Sequence, residues 1–321
     1  GEEGKKEKPK NENKLDAFFS KVKEMRDEDD EFPEEEEKNK HQTPVQVMSA
    51  LDDLLTSKEA QVIHVPFDMP IDQAVAAFNH KDYSYIRVKN GMYTWEGTIE
   101  VTKEIHIVGE DNAKLVGRWH FRDRGVRPST IKNCQLFLLG QTTAKEFSRM
   151  VYVTSGELRL SDCALLSPNA YAMWTANKGV ATLAGCILAG NADGTRKGFG
   201  GAVVMGRSTT SLVECQLENQ EEFCMMVDND ATVNAVGCVF QASEVGCLMS
   251  DRGSASCARC TFRLMEGGAF AQLKGDDGKL MVKDSVVHGP MWHPRMPARP
   301  GRILASNNDQ LPAIHDGKHF T

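Results

Sequence analysis

From Cys134 to Ser285 apolar and polar positions alternate in short runs that repeat along the chain. Leu158-Arg-Leu160-Ser-Asp-Cys163-Ala-Leu165 is followed by Ala181-Thr-Leu183-Ala-Gly-Cys186-Ile-Leu188 and Thr210-Ser-Leu212-Val-Glu-Cys215-Gln-Leu217. Val233 to Phe240, Ala255 to Phe262 and Leu280 to Val287 repeat the template, and an earlier copy ends in Ile131-Lys-Asn-Cys134-Gln-Leu136. The shared pattern is apolar, any, apolar, two mostly polar residues, then Cys (once Ser), any, apolar. Successive copies lie 29, 23, 29, 23, 22 and 25 residues apart, counted from Cys134 to Ser285. Alternation at period two on both sides of a two-residue corner is what two short strands joined by a bend require. A second apolar series falls between the copies: Tyr171 to Trp174, Gly201 to Met205, Phe223 to Val227, Val245 to Met249 and Gly268 to Leu273. Each repeat thus carries about three strands separated by Gly/Asn/Asp turns such as Asp228-Asn229-Asp230. A repeat this short cannot bury its apolar face alone, so copies stack. The reading is all-β: a right-handed single-stranded parallel β-helix over 81–290, with the cysteines as an internal ladder.

The chain before it reads differently. Residues 1–42 form a charged, mostly disordered arm, because they hold too few apolar residues to fold alone. Within it Leu15, Phe18, Phe19, Val22 and Met25 recur at helical spacing, predicting an amphipathic helix near 15–26 that needs a surface to cover. Residues 43–80 are read as a helical cap. Thr43-Pro44-Val45-Gln46 is a capping box ahead of an apolar stripe, and a further short helix begins near Pro70-Ile71-Asp72 and runs through Phe78. Residues 291–321 are read as an irregular tail.

Charge sharpens this division. The arm holds fifteen Asp/Glu and ten Lys/Arg, while the other 279 residues hold 30 and 28. The folded part is nearly neutral, which gives no argument for a nucleic-acid partner. No apolar run is long enough to insert in a membrane, and no apolar signal-peptide core follows Gly1. Nine cysteines, an odd number, sit mostly within apolar patterns. They are expected to be free buried thiols, which places the protein in an intracellular, reducing compartment: cytoplasm, or an organelle matrix after loss of an upstream segment. One Cys per coil without accompanying His is poor geometry for a metal site, so neither metal nor cofactor is expected.

Tyr85-Ile-Arg-Val-Lys-Asn-Gly-Met-Tyr93 and Gly97-Thr-Ile-Glu-Val-Thr-Lys-Glu-Ile-His-Ile-Val-Gly109 form the first coil. Over roughly 60–290 this resembles the right-handed parallel β-helix family of carbohydrate-binding and sugar-hydrolase, pectin-lyase-like repeats. That family also includes β-helix F-box proteins and the SHC SH2-domain-binding protein. The resemblance implies a fold and leaves function open. Its enzymes cleave polysaccharides in a groove along one sheet, using several carboxylates from neighbouring coils. Here Asp162, Glu214 and Asp284 share a template column, but Gly185, Gly237 and Arg259 interrupt it. Asp228/Asp230, Asp276-Asp277 and His288-Gly289 are isolated. No catalytic residue is assigned, and the chain is read as a non-enzyme.

Two patches have interface composition, Arg with Trp. One is Arg118-Trp119-His120-Phe121-Arg122-Asp-Arg124, the other the extended Trp292-His-Pro-Arg295 segment. Asn191-Ala-Asp-Gly-Thr-Arg-Lys-Gly198 lacks the ending and following helix of a phosphate cradle. The expectation is a non-enzymatic interaction scaffold, tethered to protein partners in a larger complex by its arm. Its binding residues would be Phe18, Phe19, Arg118, Trp119, Arg122, Arg124, Trp292 and Arg295. The alternative is a polysaccharide lyase or hydrolase, or a glycan-binding protein, of the same fold.

Overall fold

The computed structural model describes residues 60–311, apart from 81–82, 112, 124, 126, 139–148, 169, 191–195, 243–244, 251, 265–268, 275–277 and 290–302. These residues form a right-handed parallel β-helix with three faces. The first face is a sheet of eleven parallel strands, from Val62–Val65 to Ile303–Ser306. The second runs from the first half of Gly91–Val101 to Asp309–Leu311, and the third from the second half of Gly91–Val101 to Ala269–Lys274. These two faces share one hydrogen-bonded network, because the long strands Ala113–Arg122 and Gln216–Val227 run through both.

Stacking puts like on like. Along the first face Leu160, Leu183, Leu212, Ala235, Cys257 and Val282 are register partners, and all point inward and are buried. Full burial of each Leu or Val side chain is worth about 1.5–3 kcal/mol, so the period-two pattern fixes which side of each strand faces in. One pair of buried hydroxyls meets across the interior, Thr210 Oγ1 donating to Thr175 Oγ1 at 3.2 Å.

The solenoid is longer at both ends than the sequence reading placed it. Val62–Val65 already pairs in register with Tyr85–Val88, inside the segment read as a helical cap. Ile303–Ser306 and Asp309–Leu311 add strands within the segment read as an irregular tail. The end strands carry one four-residue and one three-residue run, too short to show period two by themselves. The helix expected from Pro70 is present as Ile71–His80, with Ile71, Ala74, Val75 and Phe78 buried. The helices expected near 15–26 and 43–55 lie outside the described residues.

The corner between the first and second faces explains the column that held the candidate acids. Asn133, Asp162, Gly185, Glu214, Gly237, Arg259, Asp284 and Asn307 all have φ between 50° and 66°, the left-handed region. The seven from Asn133 to Asp284 donate their backbone N–H to the next coil, for example Asp162 to Ala184 O at 2.9 Å and Gly185 to Val213 O at 3.0 Å, so the ladder continues around the bend. Gly, Asn and Asp tolerate that conformation, which is why they recur there. Backbone shape, rather than shared chemistry, selects this column. Glu214 and Arg259 are its poorly suited members, and Glu214→Asn and Arg259→Asn are each expected to raise stability by about 0.5–1 kcal/mol. Urea unfolding midpoints of the two variants measure this; unchanged midpoints would remove the explanation.

The next position is the cysteine ladder. Cys134, Cys163, Cys186, Cys215, Cys238 and Cys260 are free and buried. Each thiol donates to the carbonyl two residues before it, at 3.2–3.5 Å. The repeat of this small bond is the reason the position accepts Cys, and once Ser: Ser285 Oγ makes the same bond to Lys283 O at 2.8 Å. Asn308 then closes the column, its side chain accepting from Ser285 N and donating to Val282 O.

Candidate functional site

The strand Ala113–Arg122 splits the Arg/Trp patch between two sides. Trp119 and Phe121 point inward and are buried, whereas Arg118 and Arg122 face out. Trp119 is therefore withdrawn as a binding residue: it is a core residue at 1% exposure, with its ring edge-on to Trp95 at 5.1 Å. Period two dictates the outcome, since residues 119 and 121 cannot share a side with 118, 120 and 122. Arg118 is half-buried, and its carbonyl accepts from Trp95 Nε1 at 3.3 Å. Phe18, Phe19, Arg124, Trp292 and Arg295 lie outside the described residues.

On the outward side of the same strand a polar constellation has formed that the sequence reading did not single out. Glu100 and His120 are register partners on adjacent coils. Glu100 Oε2 lies 3.0 Å from His120 Nδ1, and the other ring nitrogen, Nε2, lies 2.9 Å from Thr154 Oγ1. Arg122 Nε holds the same carboxylate oxygen at 3.0 Å. The imidazole is stacked on Tyr152 with centroids 4.8 Å apart. Arg149 in turn places its guanidinium 3.6 Å from the Tyr152 centroid and 5.6 Å from that of Trp174.

Thr154 owes its aim to an irregularity. Between Ala113–Arg122 and Arg149–Ser155 the register shifts, Phe121 pairing with Val153 but Arg122 with Ser155. Thr154 is the extra residue of this bulge, the device by which a strand re-aims one side chain. A longer contact, 3.5 Å, joins its hydroxyl to Phe121 O. The group lies on the surface, with side-chain exposures of 42% for Glu100, 21% for His120 and 54% for Arg122. One sequence signal pointed to half of it: aligning Thr98-Ile-Glu-Val101 under Arg118-Trp-His-Phe121 puts Glu100 beside His120. Thr154, 34 residues from His120, could not be aligned without knowing the bulge.

The acids weighed for polysaccharide cleavage do not gather. Asp162, Glu214 and Asp284 hold the left-handed corner. Asp230 pairs with Arg252 at 2.8 Å. Asp228 is buried, at 5% exposure. Among the described residues no group of three or more His, Cys, Asp or Glu side chains is placed to hold a metal ion. A shallow depression of about 250 Å³ lies at the corner, lined by residues including Asn133, Gln135, Asp162 and Ile187.

A third feature is the outer side of the first face. On the strands Val180–Ala184, Thr209–Val213, Thr232–Val236 and Ser254–Ala258, three alternate residues each face out and are at least partly exposed. They are Val180, Thr182 and Ala184, then Thr209, Ser211 and Val213, then Thr232, Asn234 and Val236, then Ser254, Ser256 and Ala258, all in register. This grid of short side chains carries no charge. Charged residues resume on the flanking strands, with Glu157 and Arg159 on one side and Lys279 and Lys283 on the other. No helix among the described residues is long and apolar enough to cross a membrane.

No family model matches the chain, and no curated protein matches it. Among solved structures it is similar to pectin methylesterase from Aspergillus niger, at 12% identity and a TM-score of 0.43, covering 79% of this chain and 87% of that one. A Geobacillus virus E2 protein matches at 11% identity and a TM-score of 0.43, covering 88% of this chain and 66% of that one. A PL6 alginate lyase solved with a trisaccharide matches at 10% identity and a TM-score of 0.33, over 81% and 60% of the two chains.

Proposed function

We propose that the protein is an interaction scaffold, a rigid solenoid whose first face receives a protein partner. The observation that carries this is the uncharged grid over four coils. A solvent-facing sheet ordinarily spends its outer positions on charged side chains, whereas the centre of a protein interface is depleted in charge and ringed by a polar rim. The grid and its flanking Glu157, Lys279 and Lys283 have that composition. Short Thr, Ser, Val and Ala side chains also lose little rotamer entropy on being covered. In this reading the arm adds a second contact through Phe18 and Phe19, which linked binding converts to avidity.

The test is affinity purification of the full-length chain beside three full-length variants, read by mass spectrometry. Ser211→Lys with Asn234→Lys puts two charges at the centre of the grid, Phe18→Ala with Phe19→Ala disarms the arm, and Gln216→Lys, at an exposed position of the second face, serves as a control. A defined partner recovered with wild type and the control, but lost with the grid variant, is the expected result. Equal recovery by wild type and the grid variant would move the interface elsewhere. Outward Lys substitutions on an exposed strand are expected to change stability by no more than about 0.5 kcal/mol, so loss of binding would not reflect unfolding.

The glycan-active alternative is less well supported by the geometry, since the corner acids are dispersed along a backbone-selected column. It predicts saccharide-dependent stabilisation. A broad oligosaccharide panel that leaves the unfolding temperature unchanged would dispose of it.

A further inference from the structure

We infer that Thr154, His120 and Glu100 form a nucleophilic site for ester hydrolysis, independent of any partner on the first face. A nucleophilic relay requires a hydroxyl within hydrogen-bond reach of a base, and a third group that orients the base. The distances here are 2.9 Å from Thr154 Oγ1 to His120 Nε2 and 3.0 Å from His120 Nδ1 to Glu100 Oε2. A carboxylate only accepts, so in the neutral ring the proton sits on Nδ1 and Nε2 is left to accept from the threonine hydroxyl. Arg122 holds Glu100 in place, and the Tyr152 ring fixes the plane of the imidazole. The bulge at Thr154 is an independent observation, because an unbroken ladder would have set Arg122 opposite Thr154 itself.

The protein contains its own comparison. His106 bonds Thr130 Oγ1 at 2.8 Å through Nδ1 and Glu104 Oε1 at 3.0 Å through Nε2. There Thr130 is the direct register partner of His106 and is only 5% exposed, so the same three residue types make a closed cross-strand bridge with no hydroxyl open to a substrate. Thr154 is partly exposed beside exposed Glu100 and Arg122.

The chemistry balances with water alone. Thr154 Oγ1 attacks the ester carbonyl while His120 Nε2 takes its proton. The carbon–oxygen bond to the alcohol breaks, and His120 returns the proton to the departing alkoxide. Water then attacks the acyl-threonine, His120 again relaying the proton, which releases the carboxylic acid and restores Thr154. The Arg122 guanidinium beside the site suits an ester whose acyl part bears a negative charge.

The experiment uses the full chain with p-nitrophenyl acetate, p-nitrophenyl hydrogen succinate and a fluorophosphonate probe, reading turnover and the labelled peptide. Wild type is expected to turn over the anionic ester faster than the acetate and to carry the phosphonate on Thr154. His120→Ala should lower turnover at least 100-fold, the scale of a lost general base, and Thr154→Ala should abolish both turnover and label. Thr154→Ser keeps the nucleophile and should retain both, which separates chemistry from folding. His106→Ala, at the closed bridge, should leave turnover unchanged. If folded wild type and Thr154→Ser hydrolyse neither ester faster than His120→Ala and take no label at residue 154, the inference is wrong; loss of partner binding on the grid would not bear on it.

Discussion

Replacing Trp119 with Ala is expected to lower the stability of the solenoid by about 3–5 kcal/mol, the range for removing a buried aromatic. The side chain is 1% exposed, stacks near Phe121 at 6.0 Å, and meets the edge of Trp95. It also anchors a contact that needs a glycine: a Cβ on Gly117 would lie 2.3 Å from the Trp95 ring, so Trp95 reaches Trp119 only because residue 117 has none. Trp119→Phe should behave differently. Trp119 Nε1 is buried with no hydrogen-bond partner among the described residues. Removing that orphaned donor returns about 1–3 kcal/mol, which offsets much of the lost ring area. The expected net change is under about 1.5 kcal/mol. Arg118→Ala is expected to be near neutral, as surface changes are. Urea unfolding followed by far-UV dichroism measures all three. A Trp119→Ala midpoint equal to wild type would return Trp119 to the surface and restore the interface reading of the patch.

That patch shows which part of the molecule could be read from the chain. The Cys template revealed the coil because six identical side chains mark the same corner, and a left-handed residue beside each one repeats the mark. Alternation then told inside from outside for every strand flanking the ladder. The same alternation, applied to Arg118-Trp119-His120-Phe121-Arg122, separates the arginines from the aromatics; reading the segment as one composition hid this. What the sequence withheld is contact between coils. Glu100, His120 and Thr154 come from three coils and meet through register, and a single bulge shifts the last of them by one position. The neutral grid was equally hidden, since Thr182, Ser211, Asn234 and Ser256 are unremarkable until stacked. The ends of the solenoid were lost because short strands such as Asp309–Leu311 carry too few residues for a period to show.

Alkali is expected to unfold the protein between about pH 9 and 12, and the buried thiols of the ladder should be nearly inert below that range. Burial pushes the Cys134 thiol from 9.0 up to about 12. Cys186 is raised by hydrogen bonding to Cys163 and Cys215 by hydrogen bonding to Cys186 and Cys238, each together with burial, and Cys224 is raised by burial. Cys238 goes the other way, because Cys215 and Cys260 both bond to it, so its protection from reagents rests on burial rather than on protonation. A thiol with a raised folded-state value holds its proton more tightly when folded. Its contribution is complete below the unfolded value near 9 and is lost as pH rises through the folded value. For Cys134 the three pH units between 9.0 and about 12 correspond to at most about 4 kcal/mol. Below pH 9 the thiolate, which is the reactive form, is scarce at the raised thiols, and the sulfurs of the ladder are covered. Ellman's reagent at pH 8 should therefore modify the native chain at least 100-fold more slowly than the same chain in guanidinium. Cys134→Ser tests the origin of the effect, since Ser285 shows that a hydroxyl makes the same bond in this column. The variant should fold, and its stability should fall less steeply between pH 9 and 12 than that of wild type. A wild-type stability that is flat to pH 12, or native thiols that react as fast as unfolded ones, would mean that the ladder is open to solvent and that the cysteines are held there for their reactivity.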